Sequence, residues 1–210
     1  MSFILGTLDD YMGRALYPEV ENRIDRFYDY EYPLIQKLDS LINPLVSDYE
    51  RRLGKDSPNF LIFSKQLTFL INRNYNYIDS HSRTMNHDTV YYGVLRNNLF
   101  DSDLKKISFL TGAYIRYGNK TGNLYSISLS NSVSKIKTCE VFLKDLGCKE
   151  VVYTISENTR PTGVRVTFHP TELLLRYFSN YFYLRDQIDK NFEKKIKKLK
   201  KKLERRTRTK

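Results

Sequence analysis

The chain has 210 residues and a mass of 25.0 kDa, and 40% hydrophobic residues supply an ordinary core for one large or two small domains. Its net charge of +11 is uneven: residues 190–210 hold 12 Lys and Arg against two Glu, a balance of +10, which leaves about +1 (11 − 10) for the rest. No apolar run approaches the roughly 18 residues of a membrane span, so an integral membrane protein is not expected.

Residues 1–18, MSFILGTLDDYMGRALYP, do not read as a targeting peptide, because Asp9 and Asp10 stand where such peptides tolerate few acids. From Pro18 to Gly54 the spacing predicts helices. Val20, Ile24, Phe27 and Tyr28 share one face; after a break at Pro33, Leu34, Leu38, Leu41, Leu45 and Tyr49 share another, with a kink at Pro44 and a stop at Gly54. Ser57-Pro58 reads as a helix start. The next helix would carry Phe63, Leu67, Leu70, Ile71 and Ile78, before a polar run over 79–88 and a short segment through Val90, Val94 and Leu95. Residues 1–100 are thus expected to form a helical N-terminal region. His81 and His87, beside Asp79 and Asp88, fall in a loop without helical i, i+4 geometry and read as polar surface, not as a metal site.

From Asp101 the pattern changes to an α+β domain over 101–189. A helix to about Ala113 meets Gly112 and Gly118, six apart, and leads to a strand at Leu124–Ser130 in which Tyr125, Ile127 and Leu129 alternate with serines. A helix from Val133 to Leu146 would end at Gly147, followed by strands at Val151–Ser156 and Gly163–His169 joined by the turn ENTRPTG. Cys139 falls on the stripe Ile136, Cys139, Leu143 and Leu146, so it reads as a small core residue, and neither it nor Cys148 suggests a disulfide or zinc site. The fold class expected is therefore α+β: a helical N-terminal region, then a small antiparallel sheet packed on helices, then a long basic C-terminal helix.

One sheet face should be apolar, against the helices. The other gathers Ser126, Ser128, Ser130, Thr154, Arg165, Thr167 and His169 with no carboxylate. A solvated sheet explains that alternation, and so does a nucleic-acid platform on which hydroxyls and guanidinium groups meet phosphates and base edges. Arg116, Lys120 and Arg160 in the adjoining segments add cations to it.

Thr171 is the expected cap of one long helix running through Leu174, Phe178, Tyr181, Leu184 and Ile188 to Phe192, Ile196, Leu199 and Leu203. In its second half the apolar seam is one residue wide. Membrane-surface helices present a broader bulky face, whereas binding phosphates needs only density of charge. The tail cations Lys194, Lys195, Lys197, Lys198, Lys200, Lys201, Lys202, Arg205, Arg206 and Arg208 therefore join the candidate nucleic-acid-binding residues Arg116, Lys120, Ser126, Ser128, Arg160, Arg165, Thr167 and His169.

The order helix, Gly-x5-Gly, strand, helix, two-strand hairpin, helix resembles a LAGLIDADG homing-endonuclease repeat over about residues 108–181. Leu110, Gly112 and Gly118 match its motif, and SISLSN, KIKTCEVFLKDLGC and GVRVTFHPTELL resemble its sheet strand, central helix and final strand-to-helix corner. The resemblance implies a nucleic-acid-binding fold, active as a dimer when one motif is present, in which an acid before the last glycine holds a metal. Tyr117 stands there, and the first strand shrinks to the turn GNKTG. Without carboxylates to hold hard cations, phosphodiester hydrolysis loses its basis.

The expectation is a non-catalytic nucleic-acid-binding protein that prefers RNA to DNA, with no catalytic residue, metal or cofactor. It would act among other proteins in a ribonucleoprotein such as an organellar ribosome. An intracellular, mitochondrial setting is suggested by 17 Tyr without Trp and by the Asn/Lys/Tyr-rich usage of an AT-rich genome. Two alternatives are a homing endonuclease or maturase with displaced acids, Asp101 or Asp103, and a protein-binding scaffold whose basic tail is merely solvated.

Overall fold

The computed structural model describes residues 1–10, 13–54, 59–156 and 160–208. The chain begins α1 (Ser2–Thr7), β1 (Arg14–Leu16), β2 (Arg23–Tyr28), α2 (Tyr32–Ile42), β3 (Glu50–Leu53), β4 (Asn59–Phe63) and α3 (Lys65–Asn72). A hairpin follows, β5 (Tyr75–Arg83) and β6 (Thr89–Leu95). The succession then returns as α4 (Asp103–Tyr117), β7 (Gly118–Thr121), β8 (Leu124–Ser130), α5 (Val133–Asp145), β9 (Lys149–Ser156), β10 (Gly163–His169) and α6 (Glu172–Ser179), and α7 (Phe182–Arg208) closes the chain.

The molecule is thus α+β, with antiparallel sheets on helices and a C-terminal helix, and its plan helix-strand-strand-helix-strand-strand-helix occurs twice. The duplication extends to the sheets. The first orders its strands β2-β4-β3 and the second β7-β8-β10-β9, so β2, β4 and β3 occupy the places of β8, β10 and β9. The symmetry breaks at β1, which pairs with β6 in a separate sheet, β1-β6-β5.

The N-terminal half is therefore not the helical region expected from apolar spacing; six of its elements are strands. In β2 the register shifts between Arg23 and Asp25, burying both Ile24 and Asp25, and the resulting three-residue step from Ile24 to Phe27 imitates a helix. In β6, Val90, Val94 and Leu95 have helical spacing, but the segment TVYYGVL is β-branched and aromatic, and that preference prevails. Pro33 opens α2 within its first turn instead of breaking a helix, and α2 stops at Ile42, ahead of Pro44. The helix through Phe63 is instead β4, Ser64 as N-cap, and α3: the Ser64 hydroxyl accepts the amide proton of Leu67 at 3.0 Å. The Ser57-Pro58 signal lies outside the described residues.

The second half follows its pattern more closely. Gly112 does not turn the chain, however; α4 runs on to Tyr117 and Gly118 caps it. Gly112 is there for close approach. A Cβ on it would stand closer than 3.0 Å to the carbonyl oxygen of Phe3, and a Cβ on Gly6 equally close to that of Phe109, so α1 and α4 pack backbone against backbone. Around this pair the core is aromatic: Phe100, Phe109 and Phe142 lie 4.9–5.6 Å apart by ring centres, and Tyr114 stacks on Phe178 at 4.4 Å. Cys139 is buried as expected, and both cysteines are free thiols. Thr171 caps α6, accepting from Leu174 at 3.3 Å, but the helix breaks at Asn180–Tyr181 before α7 begins, so the expected single helix is two.

Candidate nucleic-acid interface

Alternation along β8 and β10 separates the faces as the sequence suggests. Tyr125, Ile127, Leu129, Val164, Val166 and Phe168 are buried against helices, while Ser128 lies opposite Arg165, Arg165 opposite Thr154, and Ser126 opposite Thr167 on the outer face. Arg165 is exposed, and its Nε donates to Ser128 Oγ at 2.8 Å. Asn119 of β7, opposite Ser126, extends this row. Lys120 does not belong to it: the residue pairs with Tyr125, and its Nζ stands 5.3 Å from that ring, on the helix side of the sheet. His169 lies past a register shift at the far end of β10, with Nε2 3.4 Å from a Glu150 carboxylate oxygen, so the face is less free of acid there than expected. Arg160 is exposed next to Pro161, which lines the cleft described below; the rest of that turn, 157–159, lies outside the described residues.

The first sheet has an equivalent outer face, which sequence reading missed entirely. Arg26 pairs with Leu61, and Leu61 with Arg52; Arg23 pairs with Phe63, and Phe63 with Glu50. Arg52 reaches along β3 to Glu50, with Nη2 and Oε2 2.5 Å apart, and its guanidinium lies 4.7 Å from the Phe63 ring. The outer faces meet at a cleft of about 570 Å³, lined by Arg26 and Tyr28 of β2, by Ser128 and Ser130 of β8, by Asp9 and Tyr117, and by Phe192 of α7.

Arg116 is not a surface cation. It is buried beneath this cleft, where Nη1 donates to Asp25 Oδ2 at 2.6 Å and to the Thr7 carbonyl at 2.6 Å, Nε donates to Glu31 Oε1 at 2.8 Å, and Nη2 to the Arg26 carbonyl at 2.7 Å. Burial opposes its charge, but the Glu31 and Asp25 carboxylates outweigh that and hold it protonated. Lys135 is also fully buried, its Nζ donating to the Leu5 and Leu8 carbonyls at the end of α1 and lying 3.9 Å from Asp10. Asp10 accepts from the Tyr75 hydroxyl at 3.1 Å, and burial raises its pKa.

These contacts decide whether the place beside Tyr117 fits a divalent cation, as the endonuclease resemblance implies. Asp25 and Glu31 are engaged by Arg116, and Asp10 by Tyr75, which leaves Asp9 as the single open carboxylate. Hard cations take six or more oxygen ligands, most of them from carboxylates, carbonyls and water. Burial pushes the Tyr117 phenol far above its usual pKa, so it stays a neutral donor, bonded to the Thr7 carbonyl at 3.3 Å. Among the described residues no group of three or more His, Cys, Asp or Glu is arranged to hold a metal, the His81/His87 hairpin included. The residues present do not fit the ion. Asp101 and Asp103 lie at the opposite end of α4 from Tyr117, about 21 Å away at the helical rise, and Asp101 is paired with Lys105.

The first half of the basic helix is anchored to the body of the molecule. Arg185 donates to the carbonyls of Ile115 and Arg116 at 3.2 and 2.8 Å, Leu184 and Ile188 are buried, and Lys195 is half-buried and meets Asp29 at 2.6 Å. Beyond it Lys197, Lys198, Lys200, Lys201, Lys202 and Arg205 are exposed, as is Lys194 before it, and the seam residues Leu199 and Leu203 are 47% and 62% exposed. Arg206 and Arg208 continue the same helix. No helix among the described residues is long and apolar enough to cross a membrane.

A duplicated α+β body built on a glycine-packed helix pair is the class these observations define. No protein-family model matches the chain, and no curated protein does. Among solved structures it is similar to the homing endonuclease I-DmoI. In complex with DNA and Mn, that protein shows 18% identity over 87% of this chain and 93% of that one, with a TM-score of 0.47. In complex with DNA and Ca the values are 16%, 80%, 81% and 0.45, and for mesophilic variants of I-DmoI 17%, 80%, 81% and 0.44.

Proposed function

We propose that the protein binds nucleic acid without cutting it, across the outer faces of its two sheets and along the exposed part of α7. The observation that carries this reading is the charge pattern of those faces. They meet at one cleft, they present Arg23, Arg26, Arg52 and Arg165 among serine and threonine hydroxyls, and Glu50 is tied to Arg52. The guanidinium groups and hydroxyls of such a surface position phosphates, and a helix carrying most of the chain's net charge adds long-range attraction. The ion cluster around Arg116 supports binding without hydrolysis, because the carboxylates that a metal would need are already bonded to it.

RNA is the preferred partner in this reading, since surface hydroxyls can bond the 2′-OH groups of an A-form groove. The setting we propose is a ribonucleoprotein, intracellular and organellar, in which other proteins surround the chain; the support for that is compositional. Binding of labelled RNA and duplex DNA of matched sequence, measured at rising salt, tests the proposal. Affinity that falls steeply with salt and favours RNA is expected, and no binding of either at low salt overturns it.

A further inference from the structure

The cleft between the sheets is of a size to enclose a single small group. Its volume of about 570 Å³ falls within the roughly 300–1,000 Å³ of pockets that enclose a small molecule. One wall is aromatic and braced. Tyr28, 42% exposed, stacks on Tyr30 with ring centres 5.2 Å apart and planes 9° from parallel. Tyr30 is held from its other sides by the edge of Phe192 at 5.1 Å and by Lys195, whose Nζ lies 5.4 Å from the ring. Arg26 and the Ser130 hydroxyl stand at the rim, both exposed. The Asp9 side chain, also in the lining of the cleft, makes no hydrogen bond among the described residues.

We infer that this cleft receives one unpaired nucleotide, its base on the Tyr28–Tyr30–Phe192 wall and its phosphate at Arg26. The inference rests on the nucleic-acid reading above and narrows it to a substrate class: strands with a bulged, looped or terminal base. Stacking is available to every base, because each has a π-face, and a ring already fixed by Tyr30 loses little freedom when a base lies on it. Asp9 can only accept hydrogen bonds when ionised, so it repels a phosphate but pairs with an exocyclic amine. The base is therefore adenine, cytosine or guanine in preference to uracil or thymine.

Two RNA duplexes, one perfect and one carrying a single bulged adenine, test this with the full chain. The bulged duplex should bind roughly tenfold more tightly, the gain expected of one stacked base. A bulged uracil should recover less of that gain. In Tyr28→Ala the ratio of the two affinities should fall to one, while Tyr28→Phe, which keeps the ring, should retain it; circular dichroism of both variants confirms the fold. Equal binding of bulged and perfect duplexes by the unmodified chain overturns the inference while leaving the wider reading standing, and so does a preference that survives Tyr28→Ala. Failure to bind either duplex at low salt overturns both.

Discussion

Gly6 and Gly112 each lie against the backbone of the helix that carries the other, with Phe109 and Phe3 carbonyls where a side chain would begin. The contact is backbone on both sides, so neither helix can yield by rotating a side chain. Gly112→Ala is expected to destabilise the protein by about 1–3 kcal/mol, the usual cost of overpacking, and Gly6→Ala similarly. The double variant should cost less than the sum, because separating the helices once relieves both clashes. Urea denaturation of the three variants measures this.

Arg116 carries a different kind of dependence. Arg116→Met leaves Asp25 and Glu31 buried without their cation, and the expected loss is about 3–5 kcal/mol. Replacing all three together with apolar residues of similar volume should recover most of it, since a buried ion pair is weak in net stability although its breakage is costly. A denaturation midpoint that is equally low in the single and triple variants would contradict this account.

Alkaline pH should unfold the protein through its tyrosines. Burial pushes the Tyr77 phenol up to about 12, and burial also raises those of Tyr30, Tyr49 and Tyr114. The unfolded chain releases these protons first, at about pH 10. Stability is therefore fully present below pH 10 and declines as pH climbs through 10 toward 12 and beyond. Phenolate absorbance together with urea midpoints between pH 8 and 12 checks the sign. Tyr114→Phe, which keeps the stack on Phe178, should flatten the decline.

The two thiols should separate cleanly. Cys139 is fully buried, and burial pushes its pKa up to about 12; Cys148 is partly exposed, with its pKa raised by burial to a lesser depth. A thiol reagent at pH 8 is expected to modify Cys148 slowly and Cys139 only on unfolding. Mass spectrometry of the labelled peptides reads the result.

Removing residues 197–210 deletes the basic end of the chain, with the exposed Lys197, Lys198, Lys200, Lys201, Lys202 and Arg205. The remaining structure should keep its denaturation midpoint, because Leu199 and Leu203 are exposed and contribute little burial. Binding of duplex should become less sensitive to salt, by about 0.9 in log–log slope for every phosphate that the shortened chain no longer neutralises. Unchanged slope would place the binding entirely on the sheets.

The second half of the chain was legible because its strands obey their period: Gly163–His169 is a strand with no irregularity before Thr167, and Gly147 ends a helix with a φ of +74°. The first half was not, because β2 bulges at the residues whose spacing would have announced it. The duplication left a fainter trace. At an offset of 106, Phe3, Gly6 and Tyr11 coincide with Phe109, Gly112 and Tyr117, a self-match that a search for internal repeats finds and that helical spacing alone does not. Because α1 and α4 pair within one chain, the dimer that the resemblance implies for a single copy is not needed to form a helix pair. The inward turn of Arg116 could not be read at all, since its partners Asp25 and Glu31 lie about ninety residues away in sequence.

The first helix also sets the order in which the protein can assemble. α1 has six residues and buries five, among them Phe3, whose ring lies 5.3 Å from that of Tyr181. A helix of that length does not persist alone in water. Its partner begins at Asp103, so α1 stays without a mate until the second half has emerged. Closing so long a loop adds entropy to the barrier and slows the final step. A chain released at residue 100 would leave the apolar residues of α1 without the helix that covers them, so stalled translation would yield material for proteases.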